Sequence, residues 1–174
     1  MLADIRVATR SDAARIAAIY NEAIEDRMAT FETAPRAPGD VMGWLIDGFP
    51  VLVAMRAGAI AGFARVSDYS DRCVYEGVGE HGVYVSRAGR GAGVGRALLD
   101  ALADEAARRG YYKLTSRIFT ENAASRAAHL AAGFAEVGIQ RRHGRLEGEW
   151  KDCVLVERLI GEAAKPDADR RVEG

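Results

Sequence analysis

Apolar side chains recur along the chain with two different spacings, which predict helices and strands. Ser11 or Asp12 can cap a first helix. The apolar residues that follow fall on one side of that helix: Ile16, Ile19, Tyr20, Ala23 and Ile24. A second amphipathic helix is predicted over about residues 94–109, and shorter helices over residues 41–47 and 123–132.

Runs of apolar and β-branched residues between these helices predict strands. The predicted strands are residues 4–8, 51–55, 59–66, a segment ending with 82–85, and residues 113–119, 134–140 and 153–159. A turn at Gly58 predicts a hairpin, whereas the long helix predicts a crossover between strands. Because hairpins and crossovers both occur, the order indicates an α/β fold with a mixed sheet. We expect loops over residues 27–40 and 141–151; the second loop is basic.

The composition is that of one globular domain. The chain has 174 residues, of which 49% are hydrophobic and 28% charged, so it can bury a single core. We expect this domain to span residues 1–162. Residues 163–174 are charged and rich in small side chains, which predicts a flexible tail.

Charge and cysteine content argue against several classes of function. The formal net charge of -1 is unlike that of a nucleic-acid-binding or membrane-surface protein. Cys73 and Cys153 are the two cysteines, so we expect neither a disulfide framework nor a metal site. No apolar run approaches the length of a membrane span, and we expect a cytoplasmic protein.

The strongest chemical signal is a glycine-rich turn between a strand and the long helix: Arg90, Gly91, Ala92, Gly93, Val94 and Gly95. Glycines allow a sharp turn whose amides point inward, and the following helix presents unpaired amides to the same place. Such a turn binds a phosphate or diphosphate. The alternative is a turn that only starts a helix.

Three ligands could use this phosphate site. A nucleoside triphosphate would need a lysine that the turn lacks. A dinucleotide would need a glycine where Arg96 stands, and an acidic residue about twenty residues later. Coenzyme A is the third candidate, because its pantetheine arm can pair with a strand edge such as residues 83–85.

The turn and its neighbours resemble the GNAT superfamily of N-acetyltransferases. The turn matches that family's [QR]xxGx[GA] motif, and within the family the chain is most similar to the phosphinothricin N-acetyltransferase-like branch, which also acts on methionine sulfoximine. That likeness is carried by Glu80, Val83, Tyr84 and Val85 before the turn, by Asn122, Ser125, His129, Gly133 and Phe134 after it, and by Phe31, Arg72, Tyr75 and Trp150 elsewhere. It covers about residues 4–160 and implies a GNAT fold, with a mostly antiparallel central sheet flanked by helices.

The resemblance implies that acetyl-CoA is the cosubstrate and that a small amine accepts the acetyl group. The implied cofactor contacts are Val83, Tyr84, Val85, Arg90, Gly91, Ala92, Gly93, Val94, Gly95, Arg96, Asn122 and Ser125. The implied substrate contacts are Phe31, Arg72 and Tyr75, with the last two holding a carboxylate or phosphinate. Homodimers are usual among such relatives, so we expect one here, with no nucleic acid and no membrane as partner.

Two residues are candidates for catalysis. Glu80 is the candidate general base, through a bound water, unless it is only a solvated carboxylate. His129 is either a proton donor near the sulfur, a residue that tunes Glu80, or a core histidine bonded to a backbone carbonyl. Asn122 could cap a helix, bond the pantetheine arm, or do both.

Three hypotheses of function follow. The first is an N-acetyltransferase for a small amino-acid-like amine. The second is a protein or peptide N-acetyltransferase, which needs an open groove. The third is an acetyl-CoA-binding regulatory module without turnover.

Overall fold

A computed structural model describes residues 3–166 of the chain. Over this range it contains seven strands and four α-helices. In chain order they are β1 Asp4–Val7, α1 Ala13–Asp26, α2 Pro38–Ile46, β2 Val51–Arg56, β3 Ala59–Asp68, β4 Val78–Val85, α3 Val94–Arg108, β5 Lys113–Phe119, α4 Ala123–Ala131, β6 Ala135–Leu146 and β7 Glu149–Leu159. The predicted α/β class with a mixed, mostly antiparallel sheet is confirmed.

The strands form one sheet in the order β1-β2-β3-β4-β5-β7-β6. All neighbouring pairs are antiparallel except β4 and β5, which helix α3 connects as a crossover. The parallel pairing is short, because it joins only Val78, Gly79 and Glu80 to the first three residues of β5. Beyond Glu80 the two strands diverge and leave a gap in the middle of the sheet.

Helices cover both faces of the sheet. One core cluster joins α3 to the sheet through residues such as Leu98, Leu102 and Leu114. A second cluster joins α1 and α2 to the other face and includes Ile16 and Phe63. Because side chains alternate along a strand, consecutive residues of β4 face different helix layers.

The last hairpin differs from its prediction. Residues 141–151 do not form a loop, since β6 runs to Leu146 and β7 begins at Glu149. The irregular stretch is a bulge in β6 between Gln140 and Gly144, where Arg142 has a positive φ of 48°. The amide of Arg142 donates to the Asp152 carboxylate at 2.7 Å, which ties the bulge to β7. A basic sequence here therefore belongs to a twisted strand.

The start of one helix also differs from its prediction. Helix α2 begins at Pro38, three residues before its predicted start, because proline suits the first helical position and Asp40 accepts the Ala37 amide at 2.8 Å. A short 3-10 turn, Gly161–Ala164, crosses the predicted end of the domain. Most of the predicted tail, residues 167–174, lies outside the described residues. Among the helices of residues 3–166, none has the length and apolar character needed to cross a membrane.

Candidate active site

The glycine-rich turn between β4 and α3 is open to a ligand. Gly91 and Gly93 have φ values of 74° and 76°, a region where side chains are strained. A Cβ atom built on either glycine would meet no atom within 4 Å. Gly93 is the N-cap of α3, so the unpaired amides of that helix begin at the turn. The turn therefore has the backbone donors and the space that a diphosphate requires.

Arginine side chains anchor this turn to α1. The guanidinium groups of Arg87 and Arg90 contact the Asp26 carboxylate at 2.6 Å and 2.5 Å. The hydrogen bond from Arg87 and then that from Arg90 hold the pKa of Asp26 below its usual range. Arg90 thus positions the turn through α1, and what the turn offers a ligand is its backbone. Arg96 lies 3.7 Å from Asp100, one turn further along α3.

The gap between β4 and β5 exposes backbone donors. The Ser86 amide donates to the Ala61 carbonyl, on the β3 side of β4. Because successive amides of a strand point to opposite neighbours, those of Val83 and Val85 point to the β5 side. The pairing with β5 ends at Glu80, so both amides face the gap. This is the divergence on which the predicted cofactor contact depends.

A cavity of about 630 Å³ fills this gap. Its walls come from β4, β5, the loop after α1 and the start of α4. Phe31 of that loop packs edge-on against Phe119 with ring centres 4.8 Å apart. Asn122 donates to the Met28 carbonyl at 3.0 Å. The loop is therefore fixed across one side of the cavity, and Phe31 lines it as predicted.

Glu80 lies where the two strands separate, and it lines the cavity. One carboxylate oxygen contacts the Arg117 guanidinium at 3.0 Å. Arg117 also donates to the Gln140 side chain at 3.1 Å, which fixes its direction. Among the described residues nothing hydrogen-bonds to the other oxygen, Oε2. A carboxylate held on one side and free on the other can accept a proton from a ligand in the cavity.

His129 is buried and uses both ring nitrogens. Its Nδ1 donates to the Ser125 carbonyl at 2.7 Å. Its Nε2 lies 2.9 Å from Nε2 of His81, so His81 is the donor in that bond when both rings are neutral. Burial lowers the pKa of both histidines. The bond to the Ser125 carbonyl matches the alternative of a core histidine. His129 also lines the cavity, so its role in catalysis stays a prediction.

Among the described residues no hydrogen bond joins His129 to Glu80, although both line the cavity. Glu80 and His81 are consecutive residues of β4, so their side chains point to opposite faces of the sheet. Glu80 shares its face with α1 and α2, and His81 meets α4 on the other face. The partner of Glu80 is Arg117, which the sequence motifs did not indicate.

Asn122 and Ser125 both lie at the start of α4 and line the cavity. The Asn122 side chain accepts the Ser125 amide at 3.1 Å, so the predicted helix cap is present. The Ser125 hydroxyl lies 3.4 Å from Nδ1 of His129. The cap leaves room for the second predicted role of Asn122, since its side chain still borders the cavity.

Arg72 and Tyr75 are not brought to the cavity. They lie in the exposed segment between β3 and β4, with the Arg72 guanidinium 5.5 Å from the Tyr75 ring centre. Neither residue lines a described cavity. Exposed Arg72 matches the alternative of a solvated arginine. Tyr75 is also exposed and lies in a 3-10 turn, not in a strand.

Arg65 is a second arginine, besides Arg117, that reaches the site, and sequence analysis missed it. It lies on β3 and lines a second cavity of about 370 Å³. That cavity shares Glu80, Gly82 and Tyr84 with the first one. A signal was present, since Arg65 is the charged residue inside the apolar run Phe63, Ala64 and Val66. Among residues 3–166 no cluster of three histidine, cysteine or acidic side chains could hold a metal ion.

Comparisons with known proteins agree with this geometry. The profile of the Acetyltransferase (GNAT) family matches residues 16–134. The L-methionine sulfoximine/L-methionine sulfone acetyltransferase of Salmonella typhimurium is 33% identical over 168 residues, which cover 94% of this chain and 98% of that protein.

Two solved structures are also similar to the chain. A GNAT superfamily phosphinothricin acetyltransferase from Sinorhizobium meliloti, in complex with acetyl-CoA, has a TM-score of 0.87 and 29% identity, and the match covers 99% of this chain and 96% of that one. A ribosomal-protein-alanine N-acetyltransferase from Brucella melitensis has a TM-score of 0.85 and 35% identity, covering 90% of this chain and 99% of that one.

Proposed function

This chain belongs to the acetyltransferase (GNAT) family, and we propose that it transfers the acetyl group of acetyl-CoA to the amine of a small amino-acid-like substrate of the methionine sulfoximine or phosphinothricin type. The observation that carries this proposal is the gap between β4 and β5, which starts at Glu80 and leads to the open glycine turn. Relatives named for these substrates match nearly the whole chain. One site thus combines a diphosphate cradle with a carboxylate.

Acetyl-CoA, when bound, supplies an acetyl thioester. Backbone amides of the turn would bind its diphosphate, and the amides of Val83 and Val85 would bind the pantetheine arm and the acetyl oxygen. Asn122 would contribute its side-chain amide from the start of α4. The further cofactor contacts that we propose are Tyr84, Arg90, Gly91, Ala92, Gly93, Val94, Gly95, Arg96 and Ser125.

Glu80 is the proposed general base. The α-amine of a free amino acid is mostly protonated near neutral pH, and it must lose a proton before it can attack. The free Oε2 of Glu80 accepts this proton, directly or through water, while Arg117 holds the other oxygen. His129 supports the site as a positioning residue, since its two nitrogens hold Ser125 and His81 together.

A protein substrate is the second candidate, since one similar structure is a ribosomal-protein-alanine N-acetyltransferase. Two contacts favour the small substrate. The loop after α1 is tied to the last hairpin by an ion pair of 2.7 Å between Arg27 and Glu147. Phe31 of the same loop packs against Gly144 of β6. These contacts narrow the cavity on the side where a peptide would have to enter.

The test is a screen of amines with acetyl-CoA, reading out free thiol. We expect turnover with L-methionine sulfoximine or phosphinothricin and little with peptides. Glu80→Gln should lower kcat/KM by roughly 100- to 10,000-fold and leave acetyl-CoA affinity unchanged. Glu76→Gln is the matched control, because Glu76 is exposed and lines neither cavity. Undiminished turnover in folded Glu80→Gln would remove Glu80 from the mechanism.

We also propose that the protein is a homodimer formed through the last hairpin. Strand β6 is an edge of the sheet, and it exposes Val137 and Ile139 by 53% and 61%, with Trp150 of β7 nearby at 49%. Apolar side chains on an exposed sheet edge favour association. Light scattering at micromolar concentration tests this proposal, and a monomeric mass would contradict it.

A further inference from the structure

Arg65 is a half-buried arginine that forms no ion pair with any residue in the described part of the chain. Its guanidinium carbon lies 4.2 Å from the ring centre of Trp44. Within residues 3–166 its side chain forms no hydrogen bond and no ion pair. Arginine remains charged in proteins, so an unpaired guanidinium at this depth is costly unless a ligand binds it. Stacking on an aromatic ring leaves the planar edge of the guanidinium free for hydrogen bonds.

The acidic residues that line the same cavity already have other partners. Glu80 is paired with Arg117 at 3.0 Å. Glu32 is paired with Arg36 at 2.8 Å. Desolvation lowers the pKa of Arg65, and Arg36 adds to this effect, while Tyr84, Tyr20 and Asp47 oppose it. Of the charged side chains that line this cavity, Arg65 is thus the one without an ion-pair partner among the described residues.

The sheet places Arg65 next to the proposed base. Arg65 is opposite Gly82 in the β3–β4 register, and Ser67 is opposite Glu80. Arg65 and Glu80 are therefore diagonal neighbours on one face of the sheet, at about 7–8 Å between their Cα atoms. Gly82 has no side chain there, and the ring of Tyr84 lies over it, since a Cβ atom built on Gly82 would meet that ring at 2.9 Å. The guanidinium and the carboxylate border one cavity of about 370 Å³.

An α-amino acid carries its two charged groups on one carbon atom, and this pair of residues is complementary to it. We propose that Arg65 binds the α-carboxylate of the substrate by a forked contact while Glu80 takes the proton of the α-amine. This inference rests on the proposed function and adds the residue that selects free amino acids over amines without a carboxylate. It gives the carboxylate role to Arg65 in place of Arg72, which lies outside the cavity.

The experiment compares L-methionine sulfone with its primary carboxamide, which keeps the amine and the side chain but lacks the negative charge. The wild-type protein should prefer the acid in kcat/KM by roughly tenfold to a hundredfold. Arg65→Met keeps the length and apolar packing of the side chain. It should remove this preference by raising KM for the acid, with little change for the carboxamide. Arg65→Lys should retain part of it.

Two control variants make the result specific. Arg56→Met removes an exposed arginine at the end of the neighbouring strand β2, which lines neither cavity, and should leave the preference unchanged. Arg72→Met should also retain it. Loss of the preference in Arg72→Met, but not in Arg65→Met, would overturn the inference. Circular dichroism and calorimetry with acetyl-CoA establish that each variant is folded.

Failure of the inference differs from failure of the proposed function. If the wild-type protein acetylates neither compound nor any other amine, the proposed function fails. Calorimetric binding of L-methionine sulfone then still tests Arg65, with weaker binding expected for Arg65→Met alone. If the wild-type protein does acetylate and Arg65→Met keeps the preference for the acid, the inference fails and the proposed function stands.

Discussion

The glycine turn offers a perturbation that changes charge with little change in shape. Gly93 has φ 76° and ψ 5°, a left-handed conformation that asparagine and aspartate adopt more readily than other side chains. A Cβ atom there would meet nothing within 4 Å. Gly93→Asn and Gly93→Asp should therefore both fold. They differ by one negative charge at the N-terminus of α3.

The two variants should rank in opposite order with and without ligand. In the free protein, aspartate at a helix N-terminus is favourable by about 0.3–1 kcal/mol, so Gly93→Asp should melt at or above Gly93→Asn. The new carboxylate would repel a diphosphate bound at the turn, and we take a separation of about 6 Å for the order of magnitude. At an effective dielectric constant of about 20–80, the repulsion is about 0.7–2.8 kcal/mol per charge pair. Coenzyme A should thus bind Gly93→Asp roughly 3- to 100-fold more weakly than Gly93→Asn.

Isothermal titration calorimetry with two ligands checks this reasoning. Coenzyme A carries the diphosphate, whereas pantetheine has the same arm without any phosphate. The difference between the two variants should appear with coenzyme A and vanish with pantetheine. Equal affinity of both variants for coenzyme A would refute the assignment of the diphosphate to this turn. So would an equal difference with pantetheine.

Two predictions concern stability and pH. Burial lowers the pKa of His81 and His129. Below the unfolded pKa of about 6.5, the unfolded state therefore takes up protons that the folded pair does not, and the free energy of unfolding should fall from pH 7.5 to 5.5 by up to about 1.4 kcal/mol per histidine. In urea titrations the double variant His81→Phe, His129→Leu should show a weaker dependence of this free energy on pH. The hydrogen bond from Arg6 lowers the pKa of Asp12 to about 2, so this carboxylate stabilises the fold above its unfolded pKa of about 3.9 and loses that effect as pH falls toward 2. Asp12→Asn should lower the free energy of unfolding by about 1–2 kcal/mol at pH 7, a range that already allows for the partial exposure of Arg6. This loss of stability should become smaller below pH 4. A loss of stability that does not depend on pH would contradict the ion-pair account.

Most elements could be predicted because their periodicity is local. Strand β5 has its predicted bounds, residues 113–119, and α3 ends one residue from its predicted end. The last hairpin was mispredicted because its sequence is polar and basic while its strands are exposed, so no alternation marks them. A bulge and a positive φ at Arg142 are set by pairing with β7, which a local pattern does not contain.

The part of the site that lies in contiguous sequence motifs could also be predicted, because such motifs are local. The glycine turn and Glu80 belong to contiguous motifs, and the structure brings both to one gap. Whether Arg65 or Arg72 reaches the cavity depends on where strand β3 ends. The sequence around these two arginines, which lie seven residues apart, does not show which of them remains in the sheet. The pairing of His81 with His129 was missed for the same reason, because it joins residues 48 positions apart.

Strand β4 contributes to the molecule in three ways: the side chains of one face pack in the core, those of the other face line the cavity, and two backbone amides face the gap. Its odd-numbered residues, His81, Val83 and Val85, direct their side chains to the layer of α3 and α4. The amides of Val83 and Val85 are free because pairing with β5 stops at Glu80. The even-numbered residues Glu80 and Gly82 face the cavity on the other side, where we propose that the substrate binds. A one-residue shift of β4 against β3 would exchange the two faces and replace the proposed base by a core histidine. The register of Arg65 with Gly82 therefore determines both how the sheet packs and which side chains meet an amine.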